Sequence, residues 1–406
     1  MDKCSQEDER TYDDTMPELG SEMKRIVHCQ KQEPEEIWED VFLGEEDREA
    51  FTDICKAFRK MAFEGKYGWY ARRLAKLMYG IVYRGFGHYL DESDWLSKKS
   101  GKILSRSQMA FVQRAYTWSH FACSTTCVWD ADLGETICMR SLDWQGARPL
   151  GQATRIFDVQ DLDGNTLYTG VGVVGMLGAL TGVKPGFSIA INYAPWFEGS
   201  TDEDMDPTFK LRRLLENPAI DTYDKALIAL QSWEVSSPVF LTLCGTQKDE
   251  ACVVEIGRFD NKSIRKSKDG LLIQTNRFDP NGDFGHQELA GGETREGRFG
   301  DVEKNMPDRK KQKDFPVNGK GESIAKDSRN PTSEEWYCGK LIPHSKKREE
   351  QIEEALSGFE GTSRELEDKL IETYKTAPVW NWETAYWSLM RPKTGTMRVF
   401  ARRKSG

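Results

Sequence analysis

The chain has 406 residues, of which 38% are hydrophobic and 30% charged, with a net charge of −9. That length supports a large core and two domains, the composition is globular, and the acidic balance argues against a nucleic-acid partner. No continuous apolar run reaches bilayer-spanning length, and the polar start "MDKCSQEDERTYDD" has no basic region followed by an apolar stretch, so the chain reads as cytoplasmic and without a signal peptide.

Residues 1 to about 120 read as helical. "EEIWEDVFLGEEDREAFTDICKAFRKMAFEGKYGWYARRLAKLMYG" sets apolar residues at helical spacing among charges. Within this region, Tyr67 to Leu90 joins aromatics to Arg72, Arg73, Lys76 and Arg84. A helix pair with its aromatic face in the core is the commoner meaning of such a pattern; an element that meets a membrane surface is the other. From Thr125 the texture changes to short β-rich runs: "TTCVW", "TICMRSL", "LYTGVGVVGML", "FSIAINY", "VFLTLCG", "ACVVEIG", "LLIQTN", "TAYWSLM" and "TMRVFAR". They are bounded by Gly, Asp, Asn and Pro, as strands are. "DTYDKALIALQSW" is a helix between them. Residues 301–347 read as a charged, solvated insertion, after which "KKREEQIEEALSGFEGTSRELEDKLIETY" returns to helix.

Nine cysteines stand at positions 4, 29, 55, 123, 127, 138, 244, 252 and 338. An odd, scattered set fits a reducing compartment better than a disulfide framework. The five histidines, His28, His88, His120, His286 and His344, show no metal-ligand spacing, which argues against a zinc site. The segment "CSTTCVWDADLGETICMRSLDW", Cys123 to Trp144, carries the chemistry. Two β-branched runs flank the turn-like cluster "DADLG", which predicts a β-hairpin. With its tip near Asp132, Cys123 pairs close to Ser141, and Arg140 and Asp143 fall within two residues of it across the ladder. A slip of one residue decides which of them shares its face. A thiol beside an arginine has a lowered pKa. Taken alone, such residues are more often a core thiol and a structural ion pair, and Cys127 and Cys138 read as core thiols. The context "CSTTCVW" does not match the papain-like cysteine.

Over most of its length the chain resembles the N-terminal cysteine amidases, the group of acid ceramidase, N-acylethanolamine acid amidase, bile-salt hydrolase and penicillin V acylase. The residues that carry this are Cys-Ser-Thr-Thr with "MRSLDW" after the hairpin turn, "ALTGVKPGFSIAINY", "LIQTNRF", "TREGRFGDVEKNM" and the closing "TAYWSLMRPKTGTMRVFAR". "GKILSRSQMAFVQRAYTWSHFA" is similar to the helical segment that precedes the nucleophile in acid ceramidase. Ser141 departs from the pattern, standing where the family usually has Asn.

The resemblance implies an α+β fold, the αββα four-layer sandwich of N-terminal-nucleophile hydrolases, with residues 1–122 as a helical N-terminal segment and 123–406 as the catalytic domain. It implies self-cleavage between Ala122 and Cys123, leaving an α/β heterodimer of the two halves. Cys123 is then the nucleophile, with its own α-amine as base, so no histidine is required. Arg140 and Asp143 stand beside it, Asn192 and Asn276 help hold the oxyanion, and Arg298, with Arg295 as second candidate, is the last polar group. No cofactor or metal is implied. The expected partner is a small lipid amide, ceramide-like or acylethanolamine-like, with membrane-surface contact as a further option. The alternatives are a penicillin V or bile-salt type of amide and an inactive lipid-binding homologue. The acid ceramidase branch is lysosomal, which would apply here if the true N-terminus were missing.

Overall fold

The computed structural model describes residues 16–19, 24–27, 33–64, 68–81, 88–118, 121–144, 147–194, 206–257, 262–278 and 342–403. Two sheets face each other. The larger has eight strands in the order β1 (Lys24–Val27), β4 (Thr154–Gln160), β5 (Thr166–Val173), β6 (Thr181–Lys184), β7 (Phe187–Tyr193), β8 (Val239–Cys244), β9 (Ala251–Ile256), β10 (Lys262–Lys266). The smaller has five, in the order β11 (Leu271–Gln274), β2 (Phe121–Asp130), β3 (Glu135–Trp144), β12 (Thr384–Arg391), β13 (Thr396–Ala401). All pairings are antiparallel except β1 with β4.

Alternation along the strands builds the layers. In β2 and β3, Val128, Ile137 and Met139 face outward onto Ile352 and Leu356 of α10 (Ile342–Leu356) and Leu366, Leu370 and Tyr374 of α11 (Ser363–Lys375). Cys127 and Cys138 face inward and pack with Phe240, Cys244 and Val253 of the larger sheet. The outer face of that sheet, with Ile189, Leu241, Leu243 and Val254, is covered by α8 (Pro207–Glu216), α9 (Tyr223–Gln231) and the N-terminal helices. Helix, sheet, sheet, helix is the four-layer arrangement expected from the resemblance.

The N-terminal helices are α1 (Pro34–Trp38), α2 (Glu45–Phe58), α3 (Gly68–Ile81), α4 (His88–Lys99), α5 (Arg106–Val112) and α6 (Ala115–Trp118); α7 (Ala147–Gln152) follows β3. β1 interrupts the helical reading of this region, because its backbone finds a parallel partner far away in the chain. The region shares the largest core with the rest of the molecule. It is tied in by Arg155 to Asp47 at 2.7 Å, Arg212 to Glu92 at 3.1 Å, and Gln113, whose side chain bonds the backbone at Gly175 and Leu177, each at 2.8 Å. The solvated insertion expected over 301–347 lies outside the described residues up to 341. Its last six residues are helical instead: Pro343 suits the first turn of α10, and the register that buries Ser345 begins there. Among the described residues no helix is long and apolar enough to cross a membrane.

Candidate active site

The hairpin forms as the sequence predicts. Asp130 Oδ1 accepts from the N–H groups of Asp132 (3.1 Å) and Leu133 (3.2 Å), and Gly134 takes a φ of +60° to close the turn. Ser363 at the start of α11 clamps the tip by donating to Asp130 and Asp132. The register pairs Cys123 with Leu142, Thr125 with Arg140 and Ala122 with Asp143. It is one residue from the expected pairing, and it settles the question of faces. Arg140 shares the inward face with Cys123; Asp143 points outward with Ala122 and Ser124.

Arg140 Nη2 lies 3.5 Å from Cys123 Sγ and 3.2 Å from Ile191 O, while Nη1 donates to the Tyr386 hydroxyl at 2.6 Å. Burial pushes the Cys123 thiol up, and the guanidinium of Arg140 draws it back down. The β11 ladder, continued past Gln274, brings Asn276 opposite Cys123. Asn276 Oδ1 accepts the Cys123 N–H at 2.8 Å, and its Nδ2 donates to Tyr193 O at 2.9 Å. An amide nitrogen has two N–H donors, and Tyr193 O takes one of them. Asn192 is held elsewhere. Its Oδ1 accepts from Thr125 Oγ1 at 2.6 Å and its Nδ2 donates to Gln274 O and Thr275 O, so it pins the two sheets together two residues along β2 from Cys123. Ser141, the departure from the family pattern, accepts the Ser124 N–H at 3.1 Å.

Arg295 and Arg298 lie outside the described residues. A different arginine, Arg348 on α10, stands at the site, and the sequence reading missed it. Nη1 donates to Cys123 O (2.8 Å), Ser124 Oγ (2.9 Å) and Asp143 Oδ2 (3.3 Å); Nη2 donates to Asn276 Oδ1 (2.9 Å) and Ser345 Oγ (3.2 Å). Asp143 Oδ1 in turn accepts from Thr384 Oγ1 at 2.8 Å. Burial pushes the Asp143 carboxyl up and the Arg348 guanidinium down, and each charge partly offsets the other's desolvation. A signal for Arg348 was present. Ser345, Arg348, Ile352 and Leu356 recur every three or four residues and are all buried, so an arginine occupies a core position of an amphipathic helix.

Cys123, Arg140, Asp143, Asn192, Asn276 and Arg348 are all 0% exposed. β2 runs unbroken through the Ala122–Cys123 bond. The arrangement therefore holds a buried thiol, in the residue that carries the nitrogen of the Ala122–Cys123 peptide, in a shell of fixed donors and acceptors. Such a shell suits acyl transfer.

No family model matches the chain. It is 29% identical to the acid ceramidase of Balaenoptera acutorostrata scammoni over 127 residues, which covers 27% of this chain and 31% of that protein. The likeness read from the motifs is therefore borne out in sequence, over about a third of that relative's length. Among solved structures, an N-acylethanolamine-hydrolyzing acid amidase ortholog from Caenorhabditis elegans is similar at 20% identity and a TM-score of 0.44, covering 67% of this chain and 93% of that one.

Proposed function

We propose that this acid ceramidase-like chain is a hydrolase of the linear amide bond in an N-acylated lipid, and that it matures by cutting itself between Ala122 and Cys123. The observation that carries the reading is Cys123 itself: its sulfur faces Arg140, its N–H is held by Asn276 and its carbonyl by Arg348. In the uncut chain the thiol adds to the Ala122 carbonyl carbon and the amide nitrogen of Cys123 leaves, which gives a thioester. Water then releases the Ala122 carboxylate and a free thiol. The new α-amine, with an ordinary pKa of roughly 7.7–8.0, takes the thiol proton. The thiolate attacks the substrate amide, the amine departs with that proton, and water hydrolyses the acyl-enzyme to a carboxylic acid. The two halves stay together as a heterodimer, because β1 and the buried Glu92 and Asp47 pairs join them across the shared core.

Asn276→Ala should lower turnover about a hundredfold, since it removes an amide donor at the oxyanion. Full activity in that variant, measured as kcat on the matured protein, takes Asn276 out of the site. Membrane-surface contact belongs to the same reading. α3 exposes Trp69 (59%), Tyr70 (58%) and Leu77 (60%) beside the exposed Arg72, Arg73 and Lys76, whereas Leu74, Ala75, Met78 and Tyr79 turn toward the core.

The substrate class is tested with fluorogenic N-acyl amides of increasing chain length, with penicillin V and a glycine-conjugated bile acid alongside. Each buried methylene contributes about 0.8 kcal/mol, roughly a fourfold gain in kcat/KM, until the acyl site is full. A flat profile, or preference for the penicillin or the bile acid, moves the protein to the non-lipid branch. Binding of these amides without turnover marks it as an inactive homologue.

A further inference from the structure

β12 is irregular at one place, and that place is at the site. Thr384 is the partner of Asp143, and Tyr386 is the partner of Leu142, so the ladder slips by one at Ala385. In a regular strand Thr384 and Tyr386 would share a face. The bulge separates them, as bulges beside active sites do. Thr384 goes outward with Asp143 and donates to its Oδ1 at 2.8 Å. Tyr386 goes inward with Leu142 and Cys123, and its hydroxyl accepts from Arg140 Nη1 at 2.6 Å while its ring lies 5.4 Å from the guanidinium carbon. Two residues of one strand therefore hold two of the three charged groups around the cysteine, Arg140 and Asp143, with Arg348 the third.

The chemistry of the acceptor matters. Among the described residues, the hydrogen-bond partners of Arg140 are the Tyr386 hydroxyl, Ile191 O and Cys123 Sγ. None is a carboxylate. A carboxylate bonded there would fix the guanidinium and also cancel most of its field at the sulfur; a neutral phenol fixes it and adds no opposing charge, so the charges acting on the sulfur are Arg140, Arg348 and, bonded to Arg348 and Thr384 rather than to Arg140, the Asp143 carboxylate. Burial pushes the Tyr386 phenol up, so it stays neutral.

On the reading that Cys123 is the nucleophile, we propose that Tyr386 is a positioning residue: it aims Arg140 at the Cys123 sulfur, and the bulge at Ala385 is what allows one strand to serve both Arg140 and Asp143. The test is Tyr386→Phe, which keeps the ring and removes the hydroxyl. Self-cleavage and kcat should fall about tenfold, as for a lost hydrogen bond to a charged group, with KM within about twofold. The midpoint of Cys123 alkylation by iodoacetamide in the matured protein should move to higher pH, because a guanidinium free to turn away no longer favours the thiolate. In an Arg140→Lys background, where the fork is already lost, Tyr386→Phe should change the cleavage rate by no more than about twofold. An unmoved alkylation midpoint, or effects that multiply in the double variant, overturns the proposal. Cys123→Ala separates the two levels. If that chain still cuts, the nucleophile reading fails; if it does not cut and Tyr386→Phe keeps the wild-type pH profile, only the positioning role fails. A wild-type chain that never cuts overturns both.

Discussion

Cys123→Ala should remain one chain of 46.4 kDa and hydrolyse no amide, while the wild type resolves into two pieces. The outcome turns on which nucleophile can reach the bond. Ala122 and Cys123 are consecutive in β2 and buried, and an unactivated peptide bond there resists direct hydrolysis, so cleavage needs a nucleophile of the chain to form a more reactive ester first. Ser124 Oγ accepts from Arg348, and Ser124 faces the opposite side of the strand. Cys127, Cys138 and Cys244 lie deeper, in the core between the sheets. Among the described residues, Cys123 is the nucleophile whose own backbone nitrogen belongs to the bond, and its sulfur lies 3.5 Å from the Arg140 guanidinium. Replacing the thiol with a hydrogen leaves a small cavity and costs about 1 kcal/mol of stability, so the uncut variant should still fold. Intact mass after incubation at acidic and neutral pH reads the outcome, with a thermal melt as the folding control. Cleavage of the Ala variant at the same bond and rate would remove self-processing and the amine base with it.

How much of this was legible depended on sequence distance. Cys123, Arg140 and Asp143 sit in one hairpin, whose turn chemistry and alternation are local, and the pairing could be written to within one residue. β7, β8 and β9 are mostly apolar runs buried on both faces and read almost to the residue. β10, "KSIRK", did not read as a strand because an edge strand carries charge. β1 and β6 are four residues each, too short for a period to show. The inward and outward roles of Thr384 and Tyr386 were out of reach, because a bulge reverses the face that strict alternation assigns. Arg348 was hidden for a similar reason. It lies 225 residues from Cys123 within "KKREEQIEEAL", where its neighbours Lys346, Lys347 and Glu350 are exposed, and charge around it makes the segment look solvated.

That arginine gives the second large effect. Arg348→Met should abolish self-cleavage and destabilise the fold by about 3–5 kcal/mol, the usual cost of breaking a buried ion pair from one side. Five oxygen acceptors lose one donor each at once, among them Cys123 O, Asn276 Oδ1 and the Asp143 carboxylate. The pH dependence gives the effect a signature that simple misfolding lacks. Burial already raises the Asp143 carboxyl, with Arg348 the main opposing influence. A raised carboxyl holds its proton more readily in the folded than in the unfolded state. Between its ordinary and its raised value, stability therefore increases as pH falls. Removing Arg348 raises the carboxyl further and extends that window to higher pH. The melting temperature of Arg348→Met should thus recover on acidification by more than that of the wild type does. Adding Asp143→Asn should remove this pH dependence and return part of the stability. Cleavage should stay lost, because the guanidinium that holds Cys123 O and Asn276 Oδ1 is still missing. An Arg348→Met chain that melts and cuts like the wild type would take the arginine out of the site.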